Sequence, residues 1–103
     1  MTLPVIKIAD SSSLEKKLKI GVKILHKAEQ SGLSFSEIDI KNEDVLVGFL
    51  KGGVKIYLGK GEHLDYLSYL PSILEISRKE GKEIKYIDLR FNNQVIVGEE
   101  CEG

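Results

Sequence analysis

Tyr86-Ile87-Asp88-Leu89-Arg90-Phe91-Asn92-Asn93-Gln94-Val95-Ile96-Val97 reads as a hairpin that ends the fold. Alternation puts Ile87, Leu89 and Phe91 on one face and Tyr86, Asp88 and Arg90 on the other. Asn92-Asn93 supplies the turn. The returning strand, Gln94 to Gly98, is followed only by a short acidic tail. A strand with nothing after it is expected at a sheet edge, where unpaired backbone groups can accept a strand from a partner. Arg90, Phe91, Asn92, Asn93, Gln94, Val95, Ile96, Val97 and Gly98 are therefore the candidate partner-binding residues. Asp88 and Arg90 share a face and can pair with each other or with a neighbour. As a solvated ion pair they would contribute under about 1 kcal/mol. Phe91 has two readings, a core aromatic beneath the hairpin and a contact residue at its rim.

Working back from the hairpin, Glu62 to Lys79 carries a helical stripe of Leu67, Leu70, Ile73 and Leu74, closed by Gly81. Pro71 lies inside it and must kink or restart the helix, because proline lacks the backbone donor. Before it, Val45-Leu46-Val47-Gly48-Phe49-Leu50 is an apolar strand and Lys51-Gly52-Gly53 a hairpin turn. Val54, Ile56 and Leu58 alternate to one face of the next strand. A weaker strand around Ser36 to Ile40 shares Ile38 and Ile40 on one face, and Asn42-Glu43-Asp44 marks a turn.

At the start, Ser12 and Glu15 have capping-box spacing. Leu14, Leu18, Val22 and Leu25 recur at helical intervals as the expected inner stripe, and Gly32 is the expected left-handed cap. The order α-β-β-β-α-β-β predicts an α+β layer, a mainly antiparallel sheet with helices over its apolar face.

With 103 residues the chain is one domain able to bury a core without disulfides or metal. Its net charge of -1, with lysines interleaved among acids, gives no reason to expect nucleic acid or an anionic membrane surface. Cys101 is the single cysteine, so no internal disulfide framework exists, and its glutamate neighbours disfavour a reactive thiolate. No apolar run approaches the roughly 20 residues that span a bilayer, and the start has no signal-peptide pattern.

Chemistry is sparsely signalled. His26 and His63 lack ligand spacing to cysteines or carboxylates, and no serine sits in a nucleophile elbow, so neither a metal, a cofactor nor a catalytic residue is expected. Gly59-Lys60-Gly61-Glu62 precedes a helix but lacks the phosphate-loop spacing and the Ser/Thr after lysine. It reads first as a flexible turn. An anion site at Gly59–His63, in a small ligand-binding or enzymatic α+β domain, is the alternative reading.

Leu3-Pro4, then Val54-Lys55-Ile56-Tyr57-Leu58-Gly59-Lys60, then Tyr86-Ile87-Asp88-Leu89-Arg90-Phe91 follow one another in an order and spacing that resemble the C-terminal β domain of the FtsQ/DivIB bacterial cell-division family. The resemblance covers nearly the whole chain. It implies a non-enzymatic divisome scaffold without a small-molecule substrate, at the septum on the outer (periplasmic) side of the cytoplasmic membrane. It further implies that the chain is a fragment of a protein anchored by a transmembrane helix and carrying a POTRA domain. FtsB/DivIC and FtsL type septal proteins are the implied partners, with a partner strand taken up along Gln94 to Gly98. Arg90 stands at the family's motif arginine and Phe91 at the aromatic heading the hairpin. The sequence departs from the family pattern in three places. Asn92-Asn93-Gln94 replaces a glycine-containing turn, Glu99 replaces an aromatic, and Glu43 stands where some members have a basic residue.

Overall fold

The computed structural model describes residues 4–8, 13–42, 45–59 and 64–99. Strands β1 (Val5–Ile8), β2 (Phe35–Asn42), β3 (Val45–Leu50), β4 (Lys55–Gly59), β5 (Tyr86–Asp88) and β6 (Ile96–Gly98) form one sheet in chain order. Helix α1 (Leu14–Gln30) joins β1 to β2, and a 3-10 helix (Leu64–Tyr69) running into α2 (Leu70–Lys79) joins β4 to β5. The fold is α+β, as expected, and the sheet is mixed. The β2–β3, β3–β4 and β5–β6 pairs are antiparallel, whereas β1–β2 and β4–β5 are parallel. β1 stands ahead of the expected element order. It is four residues long, and its partner lies on the far side of a 17-residue helix, so no local pattern announces it.

The two parallel pairs explain why the sheet is covered on one side. β1, β2, β4 and β5 all point the same way, and both crossovers step in the same direction across the sheet. Right-handed crossovers then place α1 and the 3-10 helix with α2 on the same face. Ile24 and Ala28 of α1 and Leu67 and Leu70 of the second helical unit accordingly share a single core cluster. Across the sheet the register lines up Ile6, Ile38, Gly48, Ile56, Ile87 and Val97 on that inner face. Ile38, Ile56 and Ile87 are fully buried, each stabilising the fold by about 1.5–3 kcal/mol.

α1 turns a different face to the sheet from the one its leucines suggest. Leu14, Leu18 and Val22 are exposed, and the buried residues are Lys17, Gly21, Ile24 and Ala28. The cause is close approach. A side chain at Gly21 would meet Ile6 Cδ1 at 2.9 Å, so the helix lies on β1 through its small residues and leaves the leucines on its flank. Lys17 is buried and has a partner. Leu18→Lys and Val22→Lys, singly, are expected to shift the urea midpoint by no more than about 0.5 kcal/mol equivalent. A loss of about 2 kcal/mol in either would return those residues to the core.

Other boundaries follow the sequence signals. Gly32 ends α1 at φ 79°, with its own N–H bonded to Glu29 and that of Leu33 bonded to Ala28, the paired bonds of a Schellman cap. Ser13 precedes the helix without a side-chain cap bond, and Ser12, the expected cap, lies outside the described residues. Pro71 falls in the first turn of α2, where its missing donor is harmless, so it restarts the helix. Glu43, Asp44 and Cys101 also lie outside the described residues.

Candidate functional site

β6 pairs with β5 and stands at the end of the sheet. Which of its backbone groups face outward follows from β5. Lys55 N–H donates to Lys85 O and Leu89 N–H to Tyr57 O, so the peptide groups at Ile87 also turn towards β4. By alternation Tyr86 and Asp88 turn theirs to β6, opposite Gly98 and Ile96. The N–H and C=O of Val97 between them point away from the sheet. At the start of β5 the pattern slips, and Lys85 N–H donates to Gly98 O. Tyr86 lays its ring over its register partner Gly98, covering the one edge position without a side chain.

The hairpin is shorter than its sequence suggests. Its strands end at Asp88 and begin again at Ile96, leaving a seven-residue connection of 89–95. Leu89 still points into the core, but Phe91 is past the strand and 44% exposed, so it is not a core aromatic beneath the hairpin. Asn92, Asn93 and Gln94 are exposed, and Val95 packs against the core. Ile96 and Val97 are each 40% exposed on opposite faces of the edge. Beside Val97, a groove of about 610 Å3 runs between α2 and the edge, walled by Ile73, Ser77 and Ile84.

Asp88 and Arg90 pair with each other. Arg90 Nε donates to Asp88 Oδ1 at 2.9 Å, Arg90 Nη2 to Oδ2 at 2.6 Å, and the Arg90 backbone N–H to Oδ1 at 3.0 Å. The guanidinium lies 5.0 Å from the Tyr57 ring centre and 5.9 Å from that of Phe91. Tyr57 meets Tyr86 edge to face at 5.9 Å. Gly59, at φ 59°, leaves the room Arg90 needs, since a side chain there would come within 3.1 Å of Arg90 Cγ. Arg90 is therefore held in one pose against β4 and yet remains half exposed.

Burial alone would raise the Asp88 carboxyl. The side-chain and backbone hydrogen bonds from Arg90, with its charge, outweigh burial and hold it below the ordinary aspartate value. The pair's contribution is thus complete above the unfolded aspartate pKa, near 3.9, and is lost as pH falls through the lower folded one. The difference in urea midpoint between wild type and Asp88→Asn is expected to stay constant from about pH 7 to 5 and to shrink below about pH 4. A difference that grows on acidification would show that the folded carboxyl titrates above the unfolded one.

Among the described residues, no group of three or more His, Cys, Asp or Glu could hold a metal, and no helix is long and apolar enough to cross a membrane. His26 is exposed on α1. Lys60, Gly61, Glu62 and His63 lie outside the described residues, and with them the anion-site alternative. Two side chains at this end of the molecule carry no signal in the sequence. Tyr57 is legible only as an outward strand residue, and Tyr66, whose hydroxyl reaches Asn93, sits in a helical segment 27 residues away.

Among the described residues, the arrangement is an α+β layer whose last strand has a neighbour on one side only, with a fixed arginine and an exposed phenylalanine in the connection that leads into it. The chain matches the family described as cell division protein FtsQ/DivIB, C-terminal, over residues 1–90. It belongs to that family and is a cell-division domain. The match stops at Arg90, so the edge strand itself rests on the geometry above. Among curated proteins, none matches the chain.

Proposed function

We propose that this domain is a non-enzymatic scaffold of the divisome that captures a strand of an FtsB/DivIC or FtsL type septal protein along β6. In the parent protein it stands on the outer side of the cytoplasmic membrane, at the septum, carried by a transmembrane helix and a POTRA domain. The observation that carries the reading is the side of β6 that no strand among the described residues pairs with, where the Val97 peptide groups turn outward. An incoming strand exchanges bonds to water for bonds to this edge, each netting about 0.5–1.5 kcal/mol. Side chains must supply the rest. Val97 and the groove beside it offer apolar contact on one face of the added strand, and Ile96 offers it on the other. Arg90, already desolvated on its Tyr57 side, can meet a partner carboxylate, which sets register and specificity more than affinity.

The test is a backbone amide titration with the extracytoplasmic segment of the cognate FtsB/DivIC protein. Shifts are expected to concentrate on residues 90–98, and Phe91→Ala is expected to weaken binding about tenfold with the thermal midpoint unchanged. Shifts confined to α1 or to the outer sheet face would overturn strand addition at β6, as would their absence at millimolar peptide.

A further inference from the structure

Asn93, at the tip of the 89–95 connection, donates its backbone N–H to Tyr66 Oη at 2.7 Å. This bond ties the loop to the second helical unit. Asn93 sits at φ 59°, in the left-handed region that asparagine adopts more readily than other residues with side chains, so the turn is locally permitted and the bond to Tyr66 fixes where its tip lies. Tyr66 is itself well anchored. Leu64 and Leu67 of its 3-10 helix are buried, Asp65 pairs with Lys27 of α1 at 3.1 Å, and the Tyr66 ring stacks on Tyr69 with centres 6.0 Å apart.

The edge that the tip leads into is weakly fixed by its own ladder. β5 and β6 pair over three residues, and a short two-stranded ribbon is marginal alone. An edge that receives a strand must be ordered beforehand, or the ordering entropy is charged against binding. Asn93 lies between Arg90 and Phe91 at the head of the edge and β6 itself, so a fixed point there sets both. We propose that Tyr66 is the positioning residue of the partner-binding edge, acting through its hydroxyl on the Asn93 backbone. This rests on the reading of β6 as the capture site.

Tyr66→Phe keeps the ring and its stack and removes only the hydroxyl. Tyr69→Phe is the control, because it removes a hydroxyl from the other ring of the same stack, on an exposed residue. In Tyr66→Phe the Asn93 amide is expected to exchange about 3- to 10-fold faster, and the affinity for the FtsB/DivIC segment to fall about 3- to 10-fold, the range of one neutral hydrogen bond. The thermal midpoint should match that of Tyr69→Phe, which binds as wild type. Unchanged affinity or unchanged Asn93 exchange in Tyr66→Phe, with wild type binding at β6, overturns the positioning role alone. A fall in thermal midpoint beyond the control also overturns it, by making the bond a general prop of the fold. Absence of wild-type shifts at residues 90–98 overturns the capture reading and this role with it.

Discussion

Val97→Pro is expected to lower the affinity for the septal partner segment by more than about tenfold while leaving the thermal midpoint within a few degrees of wild type. The expectation rests on the direction of one peptide group. On β5 the bonds of Lys85 and Leu89 to β4 fix the alternation, so Ile96 and Gly98 face β5 and Val97 faces out. Proline at 97 therefore deletes no bond of the folded domain, which is the setting in which edge strands tolerate it. Its ring replaces a half-exposed valine, a change of the kind that usually costs little stability. For an incoming strand the same substitution removes a donor and sets a ring against the approaching backbone. One lost bond gives about 1 kcal/mol, and the displaced register carries the loss past the 1.4 kcal/mol that corresponds to tenfold. Ile96→Pro is the matched control. Its N–H faces Asp88, so proline there breaks the β5–β6 ladder and should lower the thermal midpoint. Equal effects of the two prolines on stability would mean the alternation is assigned in the wrong phase. Unchanged binding in Val97→Pro would rule out backbone pairing at this edge.

Sequence legibility divides along local and non-local physics. The β3–β4 hairpin was readable because its alternation and its Lys51-Gly52-Gly53 turn are contiguous. The restart at Pro71 was readable because proline acts on its own turn. β1 was not, since its partner is contributed from beyond α1. On α1 two stripes share the same 3.6-residue period, Leu14/Leu18/Val22/Leu25 and Lys17/Gly21/Ile24/Ala28. Hydrophobicity selects the first, and the close approach to Ile6 selects the second. Phe91 follows the inward parity of Ile87 and Leu89 only while a strand continues, and β5 ends at Asp88. At the site, the Asp88–Arg90 pair is legible in the sequence as one option of a shared face. What makes it more than a solvated pair is the burial of Asp88, with the Arg90 side chain lying against Tyr57 and Gly59 of β4. The Tyr66–Asn93 bond has no local trace.

Gly48→Ala is expected to destabilise the domain by about 1–3 kcal/mol, against the usual expectation that alanine improves on glycine within a strand. Gly48 occupies the middle of the inner row, between Ile38 and Ile56, both fully buried. The Phe35 ring lies in the space a side chain would use, and a methyl group there would overlap the ring edge. Phe35 is 3% exposed, so the ring cannot retreat without disturbing its neighbours, and interiors at this density transmit such a shift. Overpacking of this kind costs about 1–3 kcal/mol, occasionally more, and one strand residue's propensity recovers only a fraction of it. For a chain of this size the thermal midpoint should fall by roughly 5 to 20 degrees. The clash also predicts a sign change. Phe35→Leu alone leaves a cavity and destabilises, but in the Gly48→Ala background it removes the atoms that overlap, so the double variant should be more stable than Gly48→Ala by itself. Additive losses in that cycle would mean that the ring does not occupy the space above Gly48.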